Sequence, residues 1–162
     1  MQALSVQEEA LREAEVHKWI ESQKRGRDLG DWALTDWYAQ YWPIFCRLKC
    51  LEHLAGIRSW SEFRPEDFGL IGKLIRDEDL LLEMILDRAY FGCENLDLVN
   101  WGLQWGLPMK RLIYILEQLN LNQAQLDPEA PPHVLARLCD KPTEFEQVAP
   151  PQFARPRTLK GE

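Results

Sequence analysis

The stretch that decides the fold is residues 31–55, DWALTDWYAQYWPIFCRLKCLEHLA. At 100° per residue, Trp37, Tyr41, Ile44, Leu48, Leu51 and Ala55 fall on one helical stripe. Trp32, Ala39, Trp42, Cys46, Cys50 and His53 fall on the opposite one, and Asp36, Gln40 and Arg47 lie on an edge between them. A helix that is apolar on two faces sits between neighbours on both sides, so the spacing predicts a central helix. Pro43 removes one backbone donor and crowds the preceding turn, which predicts a kink or a split.

Working outward, helical periodicity continues and no alternating strand pattern is present. A first helix is expected from Ser5 to Lys24, with Val16, Trp19, Ile20 and Gln23 on one face that continues from Leu4 and Leu11. Gly26 ends it, and Asp28 or Asp31 caps the next helix. After Gly56 comes a connector with two aromatic plugs, Trp60 and Phe63. Pro65-Glu66-Asp67 then reads as a helix start, with the helix running to Arg76. Further helices are expected over Asp79–Phe91, carrying Leu82, Ile85, Leu86 and Ala89 inward, and over Asn95–Gly106, Pro108–Asn120 and His133–Cys139. Six of the ten prolines lie after residue 130, so the chain divides into an all-α domain over 1–140 and an extended or flexible Pro-rich tail over 141–162. The expected fold is one compact multi-helix domain around the central helix.

Composition narrows the function classes. A chain of 162 residues is long enough for one core without disulfide staples, so Cys46, Cys50, Cys93 and Cys139 are expected as reduced thiols. The net charge of −7 argues against a partner held by a broad basic field, such as nucleic acid. No run approaches the roughly 20 apolar residues of a membrane span. The acidic N-terminal stretch has no apolar leader core, which points to the cytoplasm. Seven tryptophans are many for this length. Each joins a large apolar body to one donor, a combination suited to helix junctions and interfaces.

The densest polar block is His17, Lys18, Trp19, Ile20, Glu21 and Ser22, followed by Gly26-Arg27-Asp28-Leu29-Gly30, Ala33 and Asp36-Trp37. His17 and Glu21 are one helical turn apart, and the Arg27 fork matches a carboxylate such as Asp28, Asp31 or Asp36. His17, Glu21, Arg27 and Asp28 are therefore a candidate polar cluster. The alternative is a structural clasp that locks a helix corner over Trp19 and Trp37. The block resembles a segment, His-x-Trp-x-x-Ser then Gly-Arg-Asp-Leu-Gly then Ala, of uncharacterised bacterial proteins. Some of these are small and helical, and others carry the segment beside a domain related to lipopolysaccharide kinases. The resemblance covers residues 17–37, with an extension to Glu52-His53-Leu54 and Trp60, and implies no activity. The chain has neither a Gly-rich phosphate loop nor a kinase catalytic loop.

Two other patterns carry chemistry. Cys46, Cys50 and His53 fall within about 60° on an unbroken helix, and thiolate and imidazole are zinc ligands. Cysteines within a helix serve more often as small core residues, so no metal or other cofactor is expected. Leu98 to Leu116 has the spacing of a DNA-binding helix-turn-helix, with Gly102 at the close crossing and Gly106 in the turn. Its second helix offers Lys110 and Arg111 as nucleic-acid contacts but is otherwise mostly apolar.

No catalytic constellation stands out. The leading expectation is a non-enzymatic cytoplasmic adaptor or regulator whose partner is another protein, or a second copy in a homo-oligomer. Its expected aromatic anchors are Trp32, Trp42, Trp60 and Trp101. The alternatives are a helix-turn-helix DNA binder using residues 98–116, and a small metalloprotein or enzyme using His17, His53 and the cysteines.

Overall fold

A computed structural model describes residues 2–75 and 80–139. Among these, seven α-helices follow one another: α1 Val6–Arg25, α2 Asp31–Leu54, α3 Leu70–Leu74, α4 Leu80–Tyr90, α5 Asn95–Trp105, α6 Met109–Leu119 and α7 Pro132–Cys139. Short 3₁₀ turns occupy Pro65–Asp67 and Leu121–Ala124. No strand occurs among the described residues, only one isolated bridge between Leu4 and Trp60. The all-α expectation and the order of its helices hold. The expected tail at 141–162 and the end of the third helix at Arg76 lie outside the described residues.

The α1 helix starts where a side chain can replace its missing acceptors. Ser5 Oγ accepts from the Glu8 N–H at 3.3 Å. Glu62, from the connector beyond α2, reaches back and accepts from the Val6 N–H at 3.0 Å, the Gln7 N–H at 3.2 Å and the Ser5 hydroxyl at 2.9 Å. At the other end Gly26 adopts φ 64° and closes the helix, its N–H donating to the Gln23 carbonyl. In the following turn Gly30 has φ 63° and ψ −156°, a conformation that a side chain opposes.

The inner face of α1 is the ladder Val6, Ala10 and Ala14, each fully buried against α2. Small residues at i, i+4 and i+8 let the two backbones approach closely. The aromatic bulk comes from α2. Trp37 makes edge contacts with Tyr38 at 5.0 Å and Phe45 at 5.2 Å, and Tyr38 lies 5.7 Å from Trp42. Helix α2 is central, as its two stripes predict, although Ala39 of the second stripe is exposed and Trp32, Ile44 and Leu48 are only half-buried. Leu34, Tyr38, Phe45 and Leu54 are also in the core, because α1, α4, α7 and the 121–124 turn surround it. Pro43 does not split α2. It and Ala39 face solvent, so water can satisfy the carbonyl that the missing proline N–H leaves open.

The expected helix from Pro65 breaks into the 3₁₀ turn and α3. The Phe68 ring packs on His53 at 5.5 Å, and Gly69 takes a left-handed φ of 75° while its N–H donates to the His53 carbonyl. At the far end α5 and α6 cross at Gly102. A Cβ there would lie 2.7 Å from Leu112 Cδ1 and 3.0 Å from Met109 Sδ, so a larger residue would have to displace these side-chain ends.

Candidate functional site

The corner between α1 and α2 is built from both helices and the 26–30 turn. His17 Nε2 lies 3.0 Å from Asp36 Oδ2, and the Gln40 amide donates to Asp36 Oδ1 at 2.6 Å. A carboxylate accepts, so His17 Nε2 carries the proton in this pair. The imidazole also packs edge-on against Tyr41 at 5.8 Å. The two side chains are each 17 % exposed and sit in the α1–α2 seam, tying one helix to the other.

The four residues of the candidate polar cluster do not meet. His17 pairs with Asp36 rather than Glu21, while Glu21 pairs with Lys24 at 3.0 Å on the outer surface. Asp28 Oδ1 accepts the Gly30 N–H at 2.9 Å and shapes the turn. Ser22 Oγ accepts the Leu29 N–H at 3.1 Å. Arg27 projects into solvent at the rim of an open groove of about 620 Å³ that Trp19 and Lys18 also line. The reason is angular. Glu21 is on the α1 flank beside Lys24, and the turn carries Arg27 and Asp28 off the end of the helix. Asp31 is drawn away by His133 of α7, at 2.9 Å.

Aromatic exposure also differs from expectation. Trp42, Trp60 and Trp101 are buried and Trp32 is half-buried. Trp42 Nε1 donates to the Leu126 carbonyl at 2.7 Å and Trp60 Nε1 to Glu52 at 3.3 Å, whereas the buried Trp101 Nε1 has no hydrogen-bond partner. The Arg88 guanidinium covers Trp101 at 4.1 Å, and that of Arg25 lies 5.6 Å from Trp32. Trp19, expected beneath the clasp with Trp37, is instead 65 % exposed, with Val16 at 52 % and Ile20 at 40 %. This outward stripe is the face on which the sequence groups Val16, Trp19, Ile20 and Gln23. The small-residue ladder Val6-Ala10-Ala14 is the signal that would have identified the opposite face as the buried one. A second exposed group, Leu96, Leu103 and Trp105, lies on α5.

The metal candidates are structural. The Trp60 N–H donates to His53 Nδ1 at 3.1 Å, which fixes the proton on Nε2, and Nε2–H donates to the Arg64 carbonyl at 2.8 Å. Both ring nitrogens are thus committed. Burial pushes the Cys46 and Cys50 thiols up to about 12, so neither is a ready thiolate. No metal-holding group of three or more His, Cys, Asp or Glu residues occurs among the described residues.

The nucleic-acid candidates Lys110 and Arg111 are exposed on α6. They share that surface with Ile113, Tyr114 and Glu117, and the Arg111 guanidinium lies 5.8 Å from the Tyr114 ring. Arg47 is buried deeper in the domain. Its guanidinium holds the Cys93 carbonyl at 2.7 Å and Glu94 at 2.6 Å, anchoring the start of α5 to α2. No described helix is long and apolar enough to cross a membrane. Searches against protein-family models, curated proteins and solved structures find no match to this chain.

Proposed function

We propose that the protein is a non-enzymatic interaction module, an adaptor or regulator acting in the cytoplasm, whose contact face is the outer stripe of α1 with the 26–30 turn. The observation that carries this reading is Trp19. A large indole stands 65 % exposed between Val16 and Ile20 on a helix whose opposite face is fully packed. Tryptophan anchors binding where it leaves water, and an apolar stripe with a polar rim suits a protein partner. Free thiols at Cys46, Cys50 and Cys93 support a reducing compartment.

The test is recovery of partners from the native cell with the intact chain and with Trp19→Asp or Trp105→Asp. A partner retained by Trp105→Asp and lost by Trp19→Asp supports the assignment. A partner profile indifferent to Trp19→Asp refutes it.

A second reading, a helix-turn-helix DNA binder, draws support from the close crossing of α5 and α6 at Gly102. The apolar Ile113 and Tyr114 beside Lys110 and Arg111 weigh against it, because phosphates and base edges need polar donors. This reading requires binding to duplex DNA that weakens steeply with added salt and is lost in Lys110→Ala/Arg111→Ala.

A further inference from the structure

The charges along α1 and its following turn are segregated. Over residues 6–15 the carboxylates Glu8, Glu9, Glu13 and Glu15 stand against Arg12 alone. Over residues 16–27 the cations Lys18, Lys24, Arg25 and Arg27 stand against Glu21 alone. Acids at the start of a helix and bases at its end complement the helix dipole, which accounts for the terminal turns. The dipole falls off within one turn, so it does not account for Glu13, Glu15 or Lys18. Between the acidic and basic halves lies the uncovered apolar centre Val16, Trp19 and Ile20.

We propose that this face binds a second copy of the same chain, α1 against α1 in antiparallel orientation about a two-fold axis. The proposal rests on the interaction reading above and names its partner. The register follows from the helix. Setting Val16 against Trp19 and Ile20 of the second copy makes paired residue numbers sum to about 36. Arg12 then meets the amide of Gln23 of the second copy, Glu13 meets Lys24, and Glu9 meets Arg27 in the turn. Glu13 and Lys24 fall on the same flank of the stripe at 100° per residue, and like flanks meet in an antiparallel pair. A parallel pair would instead place acid against acid and base against base. A two-fold contact also satisfies both copies with one patch, so the assembly closes as a dimer.

The interface is small. A 20-residue helix is about 30 Å long, and three apolar side chains per copy fall short of the roughly 800 Å² per partner of a stable complex. The association is therefore weak and salt-sensitive.

Sedimentation equilibrium of the pure full chain, from a few micromolar to several hundred, tests this directly. The expected result is a mass rising from 19.0 kDa towards twice that value, with weaker association at high salt. Trp19→Asp should abolish association, and Trp105→Asp should leave it intact. Glu13→Lys and Lys24→Glu should each weaken it about fivefold or more, and combining them in one chain should restore it, since the pair is then reversed. Unchanged helical circular dichroism in each variant confirms that the fold is retained. A chain that stays monomeric throughout overturns the proposal, as does a dimer insensitive to Trp19→Asp or one whose double charge variant is not restored. These outcomes leave the wider reading standing if a different protein is recovered from the cell in a Trp19-dependent way. Both readings fall together only if that recovery also fails.

Discussion

Two regions of this protein use the same four residue types to opposite ends. The end of α2 and the connector after it contain His53, Trp60, Arg64 and Asp67, and α1 with its following turn contains His17, Trp19, Arg27 and Asp28. In the connector the four form one knot. His53 holds the Trp60 N–H and the Arg64 carbonyl, and Arg64 forks onto Asp67 at 3.0 and 3.2 Å. Gln123 also reaches Asp67, at 3.4 Å. In the corner the four separate: His17 goes to Asp36, Asp28 to its own turn, and Trp19 and Arg27 to solvent. Density of polar and aromatic residues in a sequence is thus no measure of a site. What separates the two regions is burial: His53, Trp60 and Asp67 are buried and must find partners within the protein, drawing in the exposed Arg64, whereas Trp19, Arg27 and Asp28 are exposed and need not.

The sharpest way to break the comparison is to remove the two histidines in turn. His53→Ala empties a fully buried position and leaves the Trp60 N–H and the Arg64 carbonyl without their partner. Cavity and desolvation costs together predict a loss of about 3–5 kcal/mol in urea unfolding. His17→Ala removes one partly exposed hydrogen bond and should cost about 1 kcal/mol. Equal losses would erase the distinction between knot and corner.

Next in size is Gly102→Ala. Its new methyl meets Leu112 Cδ1 at 2.7 Å, which forces the α5–α6 crossing apart or the leucine off its rotamer. The expected cost is about 1–3 kcal/mol, read as a lower unfolding midpoint. This position was legible in the sequence. The spacing from Leu98 to Leu116 already requires a small residue there, whatever the corner binds. The all-α class and the central place of Asp31–Leu54 were legible for a similar reason, because side-chain periodicity reports burial on a regular helix. The identity of the outward tryptophan was not. Both faces of α1 contain apolar residues. The small ladder Val6-Ala10-Ala14 marks one face in the sequence, but periodicity gives it no more weight than the other; the aromatic bulk of α2, met in three dimensions, takes it inward and turns Trp19 out. Glu62 was illegible for another reason. It acts on Ser5, Val6 and Gln7 across more than fifty residues, and no local pattern encodes a cap that arrives from so far away.

That distant cap gives an intermediate effect with a pH signature. Burial raises the Glu62 carboxyl, but hydrogen bonds from the Val6 N–H, the Ser5 hydroxyl and the Gln7 N–H outweigh it and hold it below its ordinary value. A carboxyl depressed in the folded state stabilises fully above its unfolded pKa and loses that contribution as pH falls through the folded one. Wild-type stability should therefore drop through the acid range. Glu62→Gln should cost about 1 kcal/mol at neutral pH and show a shallower drop on acidification. Parallel pH profiles for the two proteins would mean that Glu62 does not brace α1.

The smallest stability effects belong to the corner, and there smallness is the informative result. Arg27 projects into solvent and Trp19 buries only about a third of its surface, so Arg27→Ala and Trp19→Asp should each change unfolding free energy by no more than about 0.5 kcal/mol. An exposed tryptophan contributes nothing to the core that a smaller polar residue would not, and it carries the solubility cost of exposed apolar surface. If Trp19→Asp leaves the unfolding midpoint unchanged while removing self-association, the indole acts in contact with a partner rather than in the fold. If it lowers the midpoint by several degrees in dilute monomeric protein, the residue belongs to the packing of α1, and the corner becomes a second structural knot like the one around His53.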